Sequence, residues 1–415
     1  MNNANYYDVI IVGGGISGLY SAYNILKILP KTKILILEAF KKTWFGGRIG
    51  NANFYGTSVV KGAGVGRKKK DYLLIKLLTE LKLPFSEFSE DKYYASTIHP
   101  PCNLKSVISS LQNKFKERKH LQVIHPTFKN FVLPLLGAEN YKHFVTCMGY
   151  SDFENEDAYD VLFNYGFEDN YGKMTGLHIP WQKLIDTIAK KIGKENIRFS
   201  SKVTSIKKCS DNEFLVELEN QHRYTCEKCI IATTIKSVVQ LLPSFSIYKK
   251  IHGQQFLRVY GKFTAKSIPI LKHYIRGYTI VPGPLQKIVP INADKGVYLI
   301  AYSDNESAKY FKDNELLENN NNNREFFCSL IKKSLGIAED IFLIAIKDFY
   351  WPIGTHYCEP LDTQQYKSRS DFMKKAQHPM HNMLVVGEMV SNDQGWTEGA
   401  LDSVKKVVTE KWLLN

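Results

Sequence analysis

The sequence predicts an α/β fold that begins with a buried parallel strand–helix–strand unit, and three features of the first forty residues predict it. Val9 to Val12 and Ile34 to Leu37 are continuous apolar runs, which is typical of parallel strands buried on both faces. A helical segment from Ile16 to Leu29 lies between them. A glycine-rich turn separates the first run from this helix. These features together predict a parallel sheet with a crossover helix at the start of the chain.

The turn has the spacing G-x-G-x-x-G, with Gly13, Gly15 and Gly18 at its glycine positions. The first glycine permits the tight turn, the second lets the backbone approach a pyrophosphate, and the third lets the helix pack on the strand. Glu38 ends the second strand about 20 residues later, where a carboxylate can accept hydrogen bonds from an adenosine ribose. We therefore predict a dinucleotide site at Gly13, Gly15, Ser17, Gly18 and Glu38. The motif alone does not separate FAD from NAD.

Length and charge limit the remaining possibilities. The chain has 415 residues, more than one core usually serves, so we expect two domains. The formal net charge is +14, but the lysines are scattered, and we expect the densest basic cluster, residues 67–70, to be a solvated loop. We expect no nucleic-acid partner. No apolar run reaches the roughly 18 residues of a membrane span, so we expect no membrane anchor and an intracellular location. The seven scattered cysteines are consistent with a reducing compartment.

Two further glycine motifs follow, one near each end of the chain. Gly46-Gly47-Arg48 comes soon after the first unit, and an arginine on such a loop can donate a planar fork to a phosphate oxygen. Near the C-terminus, an apolar run from Met383 ends in Gly387-Glu388, and the segment Gly395 to Ala400 opens a final helix predicted over Glu398 to Leu413. A helix N-terminus suits a flavin's pyrimidine carbonyls or its pyrophosphate.

These motifs resemble the opening and closing signatures of the flavin-containing amine oxidase family, which includes monoamine and polyamine oxidases and protoporphyrinogen oxidase. The resemblance implies FAD and not NAD. It also implies a Rossmann-like FAD-binding domain of the GR2 type with an intertwined α+β substrate domain. The FAD-binding domain would comprise residues 1–75, 172–243 and 351–415, and the substrate domain residues 76–171 and 244–350. In this family FAD is contacted at the positions matching Gly47, Arg48, Gly387, Glu388, Gly395, Trp396 and Ala400, and by the backbone of the residue matching Val203.

The resemblance also implies residues in front of the flavin ring. Trp396 and Tyr357 match two aromatic residues that face each other there and hold the amine between their rings. Many family members carry a lysine that holds a water molecule near flavin N5, and Arg258 stands at that position, with Lys262 close by in the sequence. Arginine is a planar donor that does not readily deprotonate, so this is a departure from the family pattern.

The resemblance further implies that FAD is not covalently bound. A cysteine bonds the flavin in covalent monoamine oxidases, but here the corresponding places are Thr355 or His356, and Cys358 falls beyond Tyr357. We expect His356 to be an ordinary loop histidine. The activity implied is oxidation of an amine, with hydride transfer from its α-carbon to the flavin and reoxidation by O2 to hydrogen peroxide. A non-amine substrate, as in protoporphyrinogen oxidase or a desaturase, and a flavin-bearing protein without turnover stay open as alternatives.

Two low-resemblance segments carry further expectations. The acidic cluster between Asp152 and Asp160 is expected to be a solvated loop, with a funnel that attracts a polyamine as the alternative. The asparagine run between Glu318 and Arg324 is expected to be an exposed loop. Together with the many lysines and isoleucines, this run is typical of an AT-rich genome, such as that of an amoeba or a large virus, which would make a virion-associated location an alternative to the cytoplasm. Neither the substrate nor the oligomeric state is indicated by the sequence.

Overall fold

A computed structural model describes residues 5–118, 124–172, 174–362 and 364–414 of the chain. Its strands are β1 (Tyr6–Val12), β2 (Ile34–Leu37), β3 (Asn51–Phe54), β4 (Thr57–Val60), β5 (Gly66–Arg67), β6 (Ser86–Glu90), β7 (Lys92–Tyr94), β8 (Met174–His178), β9 (Ile197–Arg198), β10 (Val203–Ser210), β11 (Glu213–Leu218), β12 (Arg223–Ile231), β13 (Ile251–Phe263), β14 (Tyr278–Ile280), β15 (Lys287–Asn292), β16 (Val297–Asp304), β17 (Leu343–Cys358) and β18 (Met383–Val385). Its α-helices are α1 (Ile16–Ile28), α2 (Tyr72–Glu80), α3 (Leu104–Arg118), α4 (Phe128–Leu136), α5 (Ala138–Met148), α6 (Ala158–Asn164), α7 (Glu168–Tyr171), α8 (Trp181–Ile192), α9 (Ile235–Leu241), α10 (Ser267–Tyr274), α11 (Asn305–Asp313), α12 (Asn321–Leu335), α13 (Arg369–Gln377), α14 (Thr397–Val407) and α15 (Glu410–Leu414).

The first sheet contains the predicted strand–helix–strand unit at its centre. β1 pairs in parallel with β2 on one side and with β12 on the other, and β9 and β18 continue the parallel order outward. β10 and β11 extend β12 as an antiparallel meander. The sheet is therefore Rossmann-like with an antiparallel addition, which confirms the predicted fold class.

Apolar cores cover both faces of this sheet because its central strands are apolar at every position. Val9 and Ile11 share a core with α1, α8 and α14, whereas Ile10 and Val12 share a core with α9 and α13. All four side chains are at most 4% exposed. Alternate side chains of a strand point to opposite faces, so a continuous apolar run buries both of them.

The second sheet lies in the middle part of the chain and has the strand order β17-β13-β16-β15-β14-β7. Its pairs are antiparallel except β14 with β7. The long strands β13 and β17 pair from Ile251 opposite Cys358 to Phe263 opposite Leu343. The end of β17 reaches the first sheet's helices, since His356 accepts a hydrogen bond from the Ile235 N–H at the start of α9. The proposed domain boundary at residues 350 and 351 falls within this one strand.

Most locally encoded elements are where the sequence predicts them. β2 has the predicted bounds, and α1 ends one residue early, at Ile28. The single final helix predicted over Glu398 to Leu413 is wrong, because the chain leaves the helix at Val408 and begins α15 after Thr409. The Thr409 hydroxyl accepts a hydrogen bond from the Trp412 N–H, as an N-terminal cap does.

The asparagine run is not the exposed loop that its composition predicts. Asn320 is the N-cap of α12 and accepts a hydrogen bond from the Asn323 N–H at 2.9 Å. Asn323 is only 7% exposed, and its side-chain amide donates to the carbonyls of Glu315 and Glu318. Asparagine is a strong helix cap because its side-chain oxygen satisfies a first-turn N–H, and here that local preference decides the structure.

The expectation of a solvated acidic loop at residues 152–160 is also wrong. Asp152 accepts a hydrogen bond from the Tyr165 hydroxyl, and Asp157 caps the N-terminus of α6. Asp160 pairs with Arg369 at 2.9 Å. Glu156 is 9% exposed, and burial raises its pKa to about 8. Most of these carboxylates therefore make contacts within the chain. The alternative of a funnel that attracts a polyamine stays a prediction.

The basic cluster at residues 67–70 leads into an exposed turn after β5, as expected of a solvated loop, and three of its side chains form ion pairs within the chain. Arg67 pairs with Asp71, Lys68 with Glu87, and Lys70 with Asp169; the nitrogen–oxygen distances are 2.6 to 2.8 Å.

One disulfide departs from the reducing environment that the cysteine pattern suggests. Cys102, which precedes α3, is bonded to Cys147 of α5. The remaining five cysteines are free, four of them buried. Among the described residues, no helix is both long and apolar enough to cross a membrane.

Candidate active site

The glycine turn between β1 and α1 is shaped by close backbone approaches. Gly13 has a φ of +110°. A Cβ atom at Gly18 would lie 2.0 Å from the Gly13 carbonyl oxygen, so only glycine allows α1 to approach the turn this closely. A Cβ at Gly15 would meet nothing within 4 Å, which leaves open space above the turn. Gly13 and Gly18 are thus required by the backbone geometry, whereas Gly15 lies next to open space.

Glu38 closes the far side of this turn. Its carboxylate accepts the Gly14 N–H at 2.7 Å and the Phe40 N–H at 2.8 Å. Burial raises the pKa of Glu38, and these backbone N–H groups oppose the rise. The structure thus places a carboxylate directly beside the glycine motif. Its contact with a ribose stays a prediction.

The Gly-Gly-Arg loop lies against the same turn. Gly15 and Gly46 form a parallel β-bridge, and a Cβ at Gly47 would lie 3.3 Å from the Gly15 Cα atom. Gly46 and Gly47 both have positive φ values, +101° and +64°, which favour glycine. Arg48 directly follows Gly47 and is therefore held close to the turn.

Arg48, Glu388 and His356 form a hydrogen-bonded cluster next to this loop, in which Glu388 and His356 are buried. The Arg48 Nη1 atom donates to Glu388 Oε1 at 2.7 Å and to the Gly354 carbonyl at 2.9 Å. Nδ1 of His356 bonds the same Glu388 oxygen, and the Gly395 N–H donates to Glu388 Oε2 at 2.9 Å. Burial by itself would raise the pKa of Glu388, but His356 and Arg48 outweigh it and lower the pKa to about 2. The predicted flavin contact of Glu388 stays a prediction, because these bonds are all within the chain.

His356 is not the loop histidine that the sequence suggests, since it lies on β17 and is 1% exposed. Its Nε2 atom accepts the Ile235 N–H at 3.1 Å, so the ring proton must sit on Nδ1, facing Glu388. Burial lowers the pKa of His356. The ring is therefore a neutral donor that orients Glu388.

The C-terminal signature folds back onto the first glycine turn. A Cβ at Gly387 would lie 3.8 Å from the Ser17 hydroxyl oxygen, and the Gly387 N–H donates to Ser403 of α14. Ala400 is buried in the core that α1 and α14 share. Residues from both ends of the chain, among them Ser17, Gly387 and Ala400, are thus brought together.

The start of α14 and the start of α2 are joined by side-chain contacts that the sequence did not predict. The Trp396 indole N–H donates to Asp71 at 2.8 Å, and the Arg67 guanidinium lies 5.5 Å from the ring centroid. In return, the Glu398 carboxylate accepts the Leu73 and Leu74 N–H groups at the start of α2. The position of Asp71 immediately before an apolar helical repeat was the available signal for a helix start.

Loss of the Glu398 contact should be measurable as stability. We expect Glu398→Ala to lower the free energy of unfolding by about 1 kcal/mol, because two N–H groups at the N-terminus of α2 lose their acceptor. Urea unfolding followed by circular dichroism measures it. Glu410→Ala is a matched control, since it changes a first-turn glutamate of α15 for which no such contact is found in the described chain. Equal stability of the two variants would contradict the capping role.

Arg258, not Lys262, lies inside the protein. Its Nε atom donates to the Gly62 carbonyl at 2.8 Å, and a Cβ at Gly64 would lie 2.7 Å from its Nη2 atom. The Gly62 segment is joined to the Gly-Gly-Arg loop, because the Ala63 N–H donates to the Arg48 carbonyl. Lys262 instead bonds the Lys295 carbonyl at an exposed position. Arg258 is thus the candidate for the position of the family lysine.

Tyr357 lies near the end of β17, and its ring centroid is 5.3 Å from that of His252. Two residues earlier, Thr355 lies 3.8 Å from a Cβ position at Gly395, which brings this strand to the loop that carries Trp396. No direct contact between the Tyr357 and Trp396 rings occurs within the described ranges. Their facing arrangement stays a prediction. So does the role of Val203, which begins β10 opposite Leu218.

Comparison with known proteins agrees with this geometry. Residues 100–259 match the sequence model of the flavin containing amine oxidoreductase family. Putrescine oxidase bound to putrescine has the same fold, with a TM-score of 0.73 and 13% identity over 97% of this chain and 98% of that one. Cyclohexylamine oxidase from Brevibacterium oxydans IH-35A has a TM-score of 0.74 and 16% identity over 98% of this chain and 99% of that one. The chain is thus similar to flavin-containing amine oxidases, in sequence over residues 100–259 and in fold over nearly its whole length.

A viral relative matches nearly the whole length of this chain. The uncharacterized protein R188 of Acanthamoeba polyphaga mimivirus is 20% identical over 99% of this chain and 94% of that protein. This agrees with the large-virus origin that the composition suggests.

The residues present suit FAD. α1 begins at Gly15 without a side-chain cap, so its first-turn N–H groups need an acceptor. α14 also begins without a side-chain cap, at Trp396. The Thr355 hydroxyl, beside Gly395, is buried without a hydrogen-bond partner in the described chain. A pyrophosphate and the flavin carbonyls are acceptors of the kind that these donors lack.

Proposed function

We propose that this protein is an FAD-dependent oxidase of amines that forms hydrogen peroxide. The observation that carries the proposal is the convergence of three motifs on one turn: the first glycine motif, the loop of Gly47 and Arg48, and the closing segment from Gly387 to Ala400. When bound, FAD would accept a hydride from the amine α-carbon at flavin N5 and pass the electrons to O2.

The residues of this chain would bind and orient the reactants. The turn at Gly13, Gly15, Ser17 and Gly18 would hold the pyrophosphate, and Glu38 the adenosine ribose. Other FAD contacts would come from Gly47, Arg48, Val203, Gly387, Glu388, Gly395, Trp396 and Ala400. Tyr357 and Trp396 would hold the amine, and Arg258 would stand near the reacting face of the ring. The assignment of residues 1–75, 172–243 and 351–415 to an FAD-binding domain, and of residues 76–171 and 244–350 to a substrate domain, is part of this proposal.

We propose that FAD is bound without a covalent link. Cys358 is 2% exposed, and burial raises the pKa of its thiol to about 12, so it is not a ready nucleophile. We expect acid precipitation of the purified protein to leave the yellow colour in the supernatant. Colour that stays in the pellet would contradict non-covalent binding.

Anaerobic reduction tests the function. We expect the flavin absorbance to bleach on titration with at least one of putrescine, spermidine, tyramine and lysine, and oxygen to restore it with formation of peroxide. Putrescine is included because a structural neighbour is described in complex with it. A flavin that none of these compounds bleaches, but that dithionite reduces, would count against an amine oxidase.

A further inference from the structure

Two basic side chains of the second sheet contact the ring of one tyrosine, which lies on the strand between them. Arg258 of β13 lies opposite Tyr302 of β16, and the guanidinium carbon is 4.0 Å from the Tyr302 ring centroid. The Nζ atom of Lys287, on the next strand β15, is 4.4 Å from the same centroid. Arg258 is 7% exposed and Lys287 is 0% exposed. These two side chains are called the Arg258–Lys287 pair below.

Lys287 lacks a hydrogen-bond partner within the described chain. Its Nζ atom is fully buried, and its close neighbour is the Tyr150 ring, whose centroid is 2.8 Å away. An ammonium group removed from water without an acceptor is strongly unfavourable. Burial accordingly lowers the pKa of Lys287 well below its usual range. The side chain is therefore placed for an acceptor that the described residues do not supply.

The carboxylates nearby are already engaged. Asp304 accepts hydrogen bonds from the Ser151 N–H and O–H, from the Asp152 N–H and from the Gln286 side chain. Asp152 accepts the Tyr165 hydroxyl, and burial together with the neighbouring Asp304 raises its pKa. In the part of the chain described, neither carboxylate forms an ion pair with Lys287.

Arg258 also has no carboxylate partner in the described ranges. Its Nε atom donates to the Gly62 carbonyl and the guanidinium also bonds the Tyr260 side chain, which leaves part of its five N–H donors for another acceptor. Since Gly62 belongs to the segment bonded to Arg48, the Arg258 end of the pair adjoins the candidate FAD site.

We propose that the Arg258–Lys287 pair binds the carboxylate of the substrate, so that the amine oxidised is an amino acid or another amine bearing a carboxylate. This inference rests on the proposed function and narrows its substrate class. A carboxylate would supply an acceptor for Lys287 and for the Arg258 donors that are still free, and buried basic groups are stabilised when paired in this way. A diamine such as putrescine would instead bring positive charge next to the buried Arg258 guanidinium and would disfavour protonation of Lys287.

Binding of a carboxylate should also change the protonation of Lys287. The groups around it are Asp304, Asp152, Arg258, Lys92, Tyr150 and Tyr302. An arriving carboxylate favours the charged amine, so binding takes up a proton. Affinity for a carboxylate should therefore fall as pH rises, and Lys287→Met should remove this dependence.

Matched pairs of substrates test the proposal by anaerobic stopped-flow reduction of the flavin. The pairs are lysine with cadaverine, ornithine with putrescine, and tyrosine with tyramine, each amino acid with its decarboxylated amine. We expect at least one amino acid to reduce the flavin about tenfold or more faster, at limiting concentration, than its amine. Lys287→Met should slow that amino acid by about 10- to 100-fold, the effect of losing a hydrogen bond to a charged group, and slow the amine less than about threefold.

Lys262→Met is the control, because this lysine of β13 bonds the Lys295 carbonyl at the surface. We expect it to leave both members of each pair unchanged. Faster reduction by the decarboxylated amine in every pair, or equal slowing of amine and amino acid by Lys287→Met, would overturn the proposal.

Benzoate separates failure of this proposal from failure of the proposed function. It carries a carboxylate but no amine, so its binding to the holoprotein, read from the flavin spectrum, needs no turnover. We expect benzoate to bind wild type, and to bind Lys287→Met about 10- to 100-fold more weakly. If no amine reduces the flavin but benzoate binds in this way, the oxidase function fails and the carboxylate site stands. If benzoate binds both proteins equally, or neither, the carboxylate site is wrong.

Discussion

Gly15→Val is expected to fold normally and to lose FAD. The backbone at Gly15 has φ −74° and ψ 179°, which a β-branched residue adopts without strain, and no atom lies within 4 Å of a new Cβ. The valine would therefore occupy only the space above the turn, where the pyrophosphate should approach the backbone. We expect flavin absorbance per mole of protein to fall to near zero, while circular dichroism and the unfolding midpoint of the flavin-free protein stay the same.

Gly18→Ala is the contrasting change in the same motif. Its Cβ would lie 2.0 Å from the Gly13 carbonyl oxygen, so α1 would have to move away from the turn. We expect it to lower the free energy of unfolding by more than about 1 kcal/mol even without FAD. A Gly15→Val protein that purifies with the wild-type content of flavin would contradict placement of the pyrophosphate at this turn.

The sequence predicts the first unit of the fold well because its information is local. Apolar runs and glycine spacing locate β1, α1 and β2, since buried parallel strands and a tight turn each require particular residues in sequence. Composition is a weaker guide, as the asparagine run shows, because one good cap at Asn320 outweighs the average polarity of its neighbours.

Side-chain contacts between distant segments are what the sequence could not predict. Trp396 meets Asp71 across 325 residues, and Arg48 meets Glu388 across 340. His356 is buried, and both of its ring nitrogens form hydrogen bonds. No periodic pattern in the sequence distinguishes it from a loop residue. The Arg258–Lys287 pair depends on β15, β16 and β13 lying side by side, which follows from strand order and not from spacing along the chain.

Glu388→Gln is expected to be the most destabilising charge substitution in the candidate site. Glu388 is 5% exposed and its carboxylate accepts bonds from Arg48, His356 and the Gly395 N–H. The glutamine would leave the half-buried Arg48 guanidinium without its counter-charge, and the cost of about 3 to 5 kcal/mol for breaking a fully buried pair is the upper limit of the expected effect.

The pH dependence of stability identifies the carboxylate responsible. The pKa of Glu388 is lowered from 4.5 to about 2 by His356 and Arg48 against the effect of burial, so the unfolded chain binds the proton more tightly than the folded one. The resulting stabilisation, about 3 kcal/mol, is fully present above pH 5 and is lost as pH falls towards 2. Urea unfolding of wild type and Glu388→Gln between pH 3 and 7 should therefore give free energies of unfolding that converge with falling pH.

Glu359→Gln is the control, because it removes a half-exposed surface pair with Lys250. Its free energy of unfolding should differ from that of wild type by less than about 1 kcal/mol throughout. Parallel curves for wild type and Glu388→Gln would contradict a lowered pKa of Glu388. Arg48 and His356 would then orient the carboxylate without stabilising its charged form.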